Sequence, residues 1–343
     1  MEADICRLIL YMQDSRVDVM RLRNVVKAIV FMVILCGLLV ITEFMMKGYK
    51  EPHNFIVSNT STNRIKNEPE NSIDVLFVGD SINQAAFVPY EIWENYGITS
   101  FVCGSSGQYL YESYDYLKKV FEMQDPKVVV LETDNFHRYA TLEQYTMVRL
   151  SEDFTLINNH DKWKRSLDKV FPNARDIDTY AGIDEIDVFK GYVYTPSVVP
   201  YTGRSDYMNN SSYKEEISIS NRIIIKGIQK LCKENGAALI FVGAPSPLNS
   251  TNGKHRAIEE LANAMGVTFL DYNLGELNEE LMLDWDVDTR DAGDHLSHAA
   301  AKKISNSIGA YLSEVYGLED RRNQPEYTWW NDGLNTYHIL IPE

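Results

Sequence analysis

The side chains best suited to chemistry lie at two distant points of the chain. The first is Val78-Gly79-Asp80-Ser81-Ile82-Asn83, where a β-branched run ends in a glycine, an acid and a hydroxyl. A serine at a strand-to-helix turn points its hydroxyl into the crevice beyond the sheet, where helix N-terminal N–H groups can stabilise an oxyanion. Taken alone, Asp80 or Ser81 would read as a helix cap. Serine is a feeble nucleophile until a base within hydrogen-bond reach removes its proton, and that base must itself be oriented by a carboxylate. Of the seven histidines, His53, His137, His160, His255 and His338 fall in a connector, an insert, a helix start or the C-terminal stretch, with no carboxylate in a comparable arrangement. His295 and His298 instead sit in Asp288-Thr289-Arg290-Asp291-Ala292-Gly293-Asp294-His295-Leu296-Ser297-His298, just ahead of a last helical stretch. The same loop has a rival reading as a metal site, since Asp288, Asp291, Asp294, His295 and His298 recur at three-residue intervals. Such a donor set suits a hard cation better than zinc. The expectation here is a site with no metal and no cofactor. Cys103 is read as a buried structural thiol, because nothing in the sequence lowers its pKa.

These residues need a scaffold that brings strand ends together. Short β-branched runs at Ile73–Val78, Thr99–Cys103, Val128–Thr133, Ala237–Val242 and Val267–Asp271 alternate with amphipathic stretches at Pro89–Tyr96, Tyr109–Met123, Tyr213–Asn235, Lys254–Met265 and Ser297–Tyr316. That alternation predicts an α/β domain with a parallel five-stranded sheet between two layers of helices. In such sheets ligands bind beyond the carboxyl ends of the strands, where strand order reverses. From Phe136 to Ser212 the rhythm breaks, and the stretch reads as an inserted cap with Tyr139, Tyr145, Phe154, Trp163, Phe171, Tyr192, Tyr194 and Tyr201. Those aromatics suit a small core, or a surface for carbohydrate or acyl chains. Residues 318–343, with Trp329 and Trp330, read as an irregular tail.

Ahead of the domain, Val25–Met46 is an apolar run whose charges, Lys27 and Glu43, lie near its ends. Roughly 20 apolar residues span a bilayer, and the run is longer than a signal-peptide core. It is read as a retained anchor at 25–46, after a cytoplasmic segment 1–24 and before a polar connector 47–71. Arg16, Arg21, Arg23 and Lys27 outnumber Lys47 and Lys50, so the positive-inside rule places the N-terminus in the cytoplasm and the domain, 72–317, outside. The 343 residues carry a net charge of -16, which argues against a nucleic-acid partner. The 45% hydrophobic and 24% charged fractions exclude a disordered chain or a multi-span membrane protein. Cys6, Cys36, Cys103 and Cys232 have no paired spacing and are expected as free thiols.

Gly79-Asp80-Ser81 after the first strand, together with an Asp/His loop before the last helix, resembles the SGNH or GDSL hydrolases. The likeness covers about Asp74 to Glu314 apart from the insert. It implies a three-layer, flavodoxin-like fold with Ser81 as nucleophile and His295 as base. The oxyanion hole it implies comprises the Ser81 N–H, Gly107 and Asn135, with Gly104 as a substitute for Gly107. The family's third block is usually Gly-x-Asn-Asp, whereas Thr133 and Phe136 flank Asn135 here. The family's Asp-x-x-His spacing is also altered: Ala292 stands three before His295, Asp291 four before it, and Asp294 next to it. Asp291 is the expected orienting acid and Asp294 the alternative, because Gly293 permits a bulge that turns Asp291 back to the imidazole. Anchor, Gly-Asp-Ser and Asp/His loop together also resemble the DltD proteins that serve D-alanylation of teichoic acids. The expected activity is an extracytoplasmic serine esterase or O-acyltransferase acting on an acylated envelope polysaccharide or small ester, with envelope-biosynthesis membrane proteins as partners. The alternatives are a catalytically degenerate relative used for surface assembly, or a DltD-like accessory.

Overall fold

The computed structural model describes residues 21–42, 64–141, 187–204, 206–210 and 213–341. Arg21–Thr42 form a helix, α1, long and apolar enough to cross a membrane, with its side chains exposed along its length. It starts ahead of the expected Val25, and residues 43–46 lie outside the described residues. The other described residues belong to a unit spanning Phe55–Leu142 and Ile177–Glu343.

In that unit β1 (Val75–Gly79), β2 (Ser100–Gly104), β3 (Val128–Glu132), β4 (Ala238–Gly243) and β5 (Thr268–Asp271) form a parallel sheet in the order β2-β1-β3-β4-β5. Strand order therefore reverses at β1, which places the crevice predicted for such sheets at the end of that strand. Because side chains alternate across a strand, Val75 and Phe77 enter one apolar layer and Leu76 and Val78 the other. All four are fully buried, as a sheet covered on both faces requires. The fold class is thus the expected three-layer α/β arrangement, and each strand lies within two residues of its sequence reading.

The helices are α2 (Ser81–Ala86), α3 (Pro89–Tyr96), α4 (Leu110–Val120), α5 (Ile219–Glu234), α6 (Asn252–Met265), α7 (Gly275–Leu281), α8 (His298–Tyr316) and α9 (Thr328–Leu340). Local chemistry sets several of their starts. Ser218, Thr251 and Ser297 accept the Asn221, Lys254 and Ala300 N–H groups at the beginnings of α5, α6 and α8, and Pro89 opens α3. The reading of a helix from Tyr213 was too long. Ser218 caps only at Ile219, and Glu215 N–H is committed to the Gly253 carbonyl at 3.1 Å instead of to a helix.

Residues 318–343, read as an irregular tail, contain α9, which packs on α3. Trp330 is fully buried, 5.2 Å from the Trp93 ring and 5.3 Å from Tyr90, and Trp93 Nε1 donates to Asn331 Oδ1 at 3.1 Å. Ile65 and Glu68, in the stretch read as the connector, are buried. Lys190, within the insert, is wholly buried and donates to both Glu68 carboxylate oxygens at 2.8 and 3.0 Å, with Trp329 and Trp330 over its ammonium at 4.4 and 5.0 Å. Burial pushes the Glu68 carboxyl up, to about 7, and the Lys190 ammonium down, against their mutual attraction. The next turn covers the β2 edge: Val102 N–H donates to Lys190 O at 2.8 Å, closing a backbone donor the edge strand would leave open.

Candidate active site

Gly79 ends β1 where no larger residue fits, since a Cβ there would lie 2.7 Å from Asn83 Cβ and 2.8 Å from Glu132 Cβ. The close approach lets α2 begin immediately, with Asp80 as its cap, accepting Ile82 N–H at 2.9 Å, and Ser81 as its first residue. Ser81 is partly exposed at the carboxyl end of the sheet. Asp80 is fully buried and ion-paired to Arg138 at 2.7 Å, and Arg138 also reaches Asp134 at 3.3 Å. Burial first, and Asp134 second, push Asp80 up to about 7 despite that guanidinium. Glu132, enclosed beside them, is raised well above the usual carboxylate range by burial and by Asp80 and Asp134.

The loop before α8 meets Ser81 from the other side of the crevice. His295 Nε2 lies 2.9 Å from Ser81 Oγ, and His295 Nδ1 lies 2.6 Å from Asp291 Oδ2. The other Asp291 oxygen accepts the His295 backbone N–H at 2.7 Å, so one carboxylate grips both the ring and its main chain. Asp294 Oδ2 stands off at 3.5 Å from Nδ1, while its Oδ1 accepts from Asn249 Nδ2 at 2.6 Å. The spacing works because the loop is a closed hairpin: Thr289 and Leu296 form a bridge, and Arg290 N–H donates to His295 O at 3.1 Å. At its tip Ala292 and Gly293 have φ of +63° and +102°, and these two left-handed residues absorb the extra position between Asp291 and His295.

The structure thus brings Ser81, His295 and Asp291 into one hydrogen-bonded chain. Asn135 lies in a 3-10 turn, Asp134–His137, directly after β3, fully buried, and neither amide atom has a partner among the described residues. Gly107 is exposed in the loop after β2, at φ +70°, with Arg138 Nη1 3.2 Å from where a Cβ would stand. Gly104 lies deeper, packed against the Gly79 and Asp80 carbonyls.

Of the five residues in the metal reading, only Asp291, Asp294 and His295 converge. Asp288 is buried and paired with Lys303 at 2.6 Å, and the His298 nitrogens face the Tyr192 and Tyr337 hydroxyls at 3.0 and 3.2 Å. Burial, reinforced by the Lys302 charge, lowers the His298 pKa to about 4, so this histidine is neutral. Cys103 and Cys232 are buried free thiols, both pushed up to about 12 by burial, and Cys36 is an exposed free thiol on α1. Cys6 lies outside the described residues.

The sequence reading gave His255 no carboxylate partner, and that is corrected. Its Nδ1 lies 2.7 Å from Asp271 Oδ2, because parallel β5 delivers Asp271 beneath α6. Its other nitrogen faces Glu259 at 3.9 Å, and among the described residues no hydroxyl is bonded to it. Two features had no sequence signal: Arg138, which pins Asp80, and the extended segment Val193–Tyr201, which lies along the His295 loop. Of the insert's aromatics, Tyr139 is exposed, Tyr192 is buried, and Tyr194 and Tyr201 are part-buried. Tyr145, Phe154, Trp163 and Phe171 lie outside the described residues.

Such a chain of hydroxyl, imidazole and carboxylate can deprotonate a serine and make it a nucleophile. No protein-family model matches this chain, and no curated protein sequence matches it. Among solved structures, it is similar to a GDSL-like lipase from Bacteroides thetaiotaomicron, at 14% identity over 75% of this chain and 98% of that one, with a TM-score of 0.37. It is also similar to a lipase/acylhydrolase from Enterococcus faecalis (12% identity, 70% and 95% covered, TM-score 0.36). A third is a catalytic mutant of an acetylxylan esterase from Geobacillus stearothermophilus (13% identity, 73% and 96% covered, TM-score 0.37). Identities and scores at this level leave the functional reading to the geometry alone.

Proposed function

We propose that this chain is a serine esterase or O-acyltransferase of the SGNH type, anchored by α1 with its catalytic domain outside the cell membrane, acting on an acylated envelope glycan or polymer. The observation that carries the proposal is the unbroken line from Ser81 Oγ to His295 Nε2 at 2.9 Å and from His295 Nδ1 to Asp291 at 2.6 Å. In this reading His295 takes the Ser81 proton as Oγ attacks an ester carbonyl. The Ser81 and Gly107 N–H groups and the Asn135 amide receive the oxyanion. The imidazolium gives its proton to the departing alkoxide, which leaves an acyl group on Ser81. Water, or a sugar hydroxyl deprotonated by His295, then attacks the acyl carbonyl and frees the serine.

Asn135 supports the oxyanion assignment. An enclosed polar group without a partner costs about 1–3 kcal/mol, and such a cost persists where a ligand completes the bonding. Arg21, Arg23 and Lys27, at the start of α1, support a cytoplasmic N-terminus. The test is labelling of the full-length protein in detergent by a serine-directed fluorophosphonate. Labelling lost in Ser81→Ala is the expected result. A well-folded wild-type chain that takes no label would make the domain a binding platform and end the catalytic reading.

A further inference from the structure

The segment from Val193 to Tyr201 is fastened along the loop that carries His295. At its start Val193 N–H donates to Gln84 O at 2.9 Å, on the helix that Ser81 opens, and Arg290 Nη1 donates to Val193 O at 3.0 Å. Ser197 Oγ donates to Arg290 O at 2.9 Å. Val199 then pairs with the hairpin on both sides, its N–H donating to Thr289 O at 3.1 Å and its carbonyl accepting Ala292 N–H at 3.0 Å. Finally Tyr201 N–H donates to Trp285 O at 2.9 Å, and the two rings meet edge to face at 6.5 Å. Pro196 and Pro200 favour the extended path, since each fixes its own φ and restricts the residue before it.

Two of these contacts fall on the left-handed pair. Ala292, at φ +63°, has its N–H held by Val199. Gly293, at φ +102°, has the Tyr201 ring against its open face, 2.6 Å from where a Cβ would stand. On the opposite side Leu248 N–H donates to Gly293 O at 3.0 Å. Gly293 adopts this conformation freely, whereas Ala292, an L-residue, disfavours it, so a loop left to itself would relax at Ala292 and carry Asp291 away from the imidazole. We propose that Val193–Tyr201 is a template for the catalytic hairpin and that Tyr201 is a positioning residue, its ring on Gly293 keeping the Asp291 carboxylate against His295. The inference rests on reading Ser81, His295 and Asp291 as the catalytic set. The strap thereby serves the site from outside it: it supports the orienting acid and contributes no group to the reacting atoms.

The experiment compares full-length Tyr201→Ala and Tyr201→Phe with wild type in detergent, using p-nitrophenyl acetate and fluorophosphonate titration to count functional sites. A misplacement of about 1 Å costs on the order of 100-fold, so Tyr201→Ala is expected to lose 10- to 100-fold in kcat per titrated site with KM within twofold. Tyr201→Phe, which keeps the ring, is expected within twofold of wild type. In an Asp291→Asn background Tyr201→Ala is expected to do little more, because it acts through that carboxylate. Full kcat in Tyr201→Ala, a loss that disappears once titrated sites are counted, or losses that multiply in the double variant would each overturn the proposal. Wild-type protein that takes no label would instead overturn the triad reading.

Discussion

Replacing Asp291 by asparagine removes the negative charge from the far side of His295 while keeping its size. At 2.6 Å the attraction between a carboxylate and the imidazolium formed during reaction is about 1.6 kcal/mol in a water-like medium and about 6 kcal/mol at the effective permittivity of a protein surface. The Asp291 side chain is 39% exposed and that of His295 13%, which places the pair between those limits, at about 3 kcal/mol. That is roughly 100-fold in kcat. An asparagine N–H turned toward Nδ1 would also favour the wrong tautomer, and this effect carries the loss in serine proteases to about 10⁴-fold. Asp294→Asn removes a carboxylate 3.5 Å from the same nitrogen that is already engaged by Asn249, and the expected loss is under about fivefold. The assay is p-nitrophenyl acetate hydrolysis by full-length protein in detergent, with KM and kcat separated and titrated sites counted. An Asp294→Asn loss larger than that of Asp291→Asn, or an Asp291→Asn kcat within threefold of wild type, would refute the assignment of the orienting acid.

Three further outcomes follow from the same geometry. Asn135→Ala should lower kcat by roughly 100- to 1000-fold if its amide receives the oxyanion, yet leave the thermal midpoint nearly unchanged because the amide has no partner to lose; a fall in midpoint with kcat intact would make the residue structural. Trp330→Ala should destabilise the domain by about 3–5 kcal/mol, read as a shift of the guanidinium midpoint by circular dichroism, because the ring is fully enclosed between α9 and α3; a shift below 1 kcal/mol would mean that α9 docks weakly. His298 has its folded pKa lowered to about 4 from 6.5 by burial, so the unfolded chain binds the extra proton between those values and stability falls as pH drops from about 6.5 to 4. Guanidinium unfolding at pH 7 and pH 5 should show that loss in wild type and a smaller one in His298→Asn, and equal slopes would remove the histidine from the account.

The strands were legible because a sheet buried on both faces writes itself as short apolar runs rich in β-branched residues, as in Val128-Val129-Val130-Leu131. Ser81, His295 and Asp291 were legible for a related reason: two signals, a Gly-Asp-Ser strand end and a glycine-bearing Asp/His loop, are each written within a few consecutive residues. Helix α2 was too short, at six residues, for its period to register. Helix α9 was hidden by Gly333, a poor helix former at a place where a Cβ would strike the Tyr90 hydroxyl. The His255–Asp271 contact and the strap over Gly293 could not be read, because both depend on which chain segments the sheet topology brings side by side. Periodicity reports which face of an element is buried and is silent about the neighbour that buries it.

The enclosed Lys190–Glu68 pair sets an order on assembly. Its acid lies beside the first turn of the domain, its ammonium within the insert, and the indoles that roof it on α9. A chain growing from its N-terminus has made both charges long before Trp329 and Trp330 emerge, and until then the ammonium faces solvent. Helix α9 is therefore what roofs the pair, and a nascent domain halted before α9 would hold its catalytic residues on a scaffold still open at that corner.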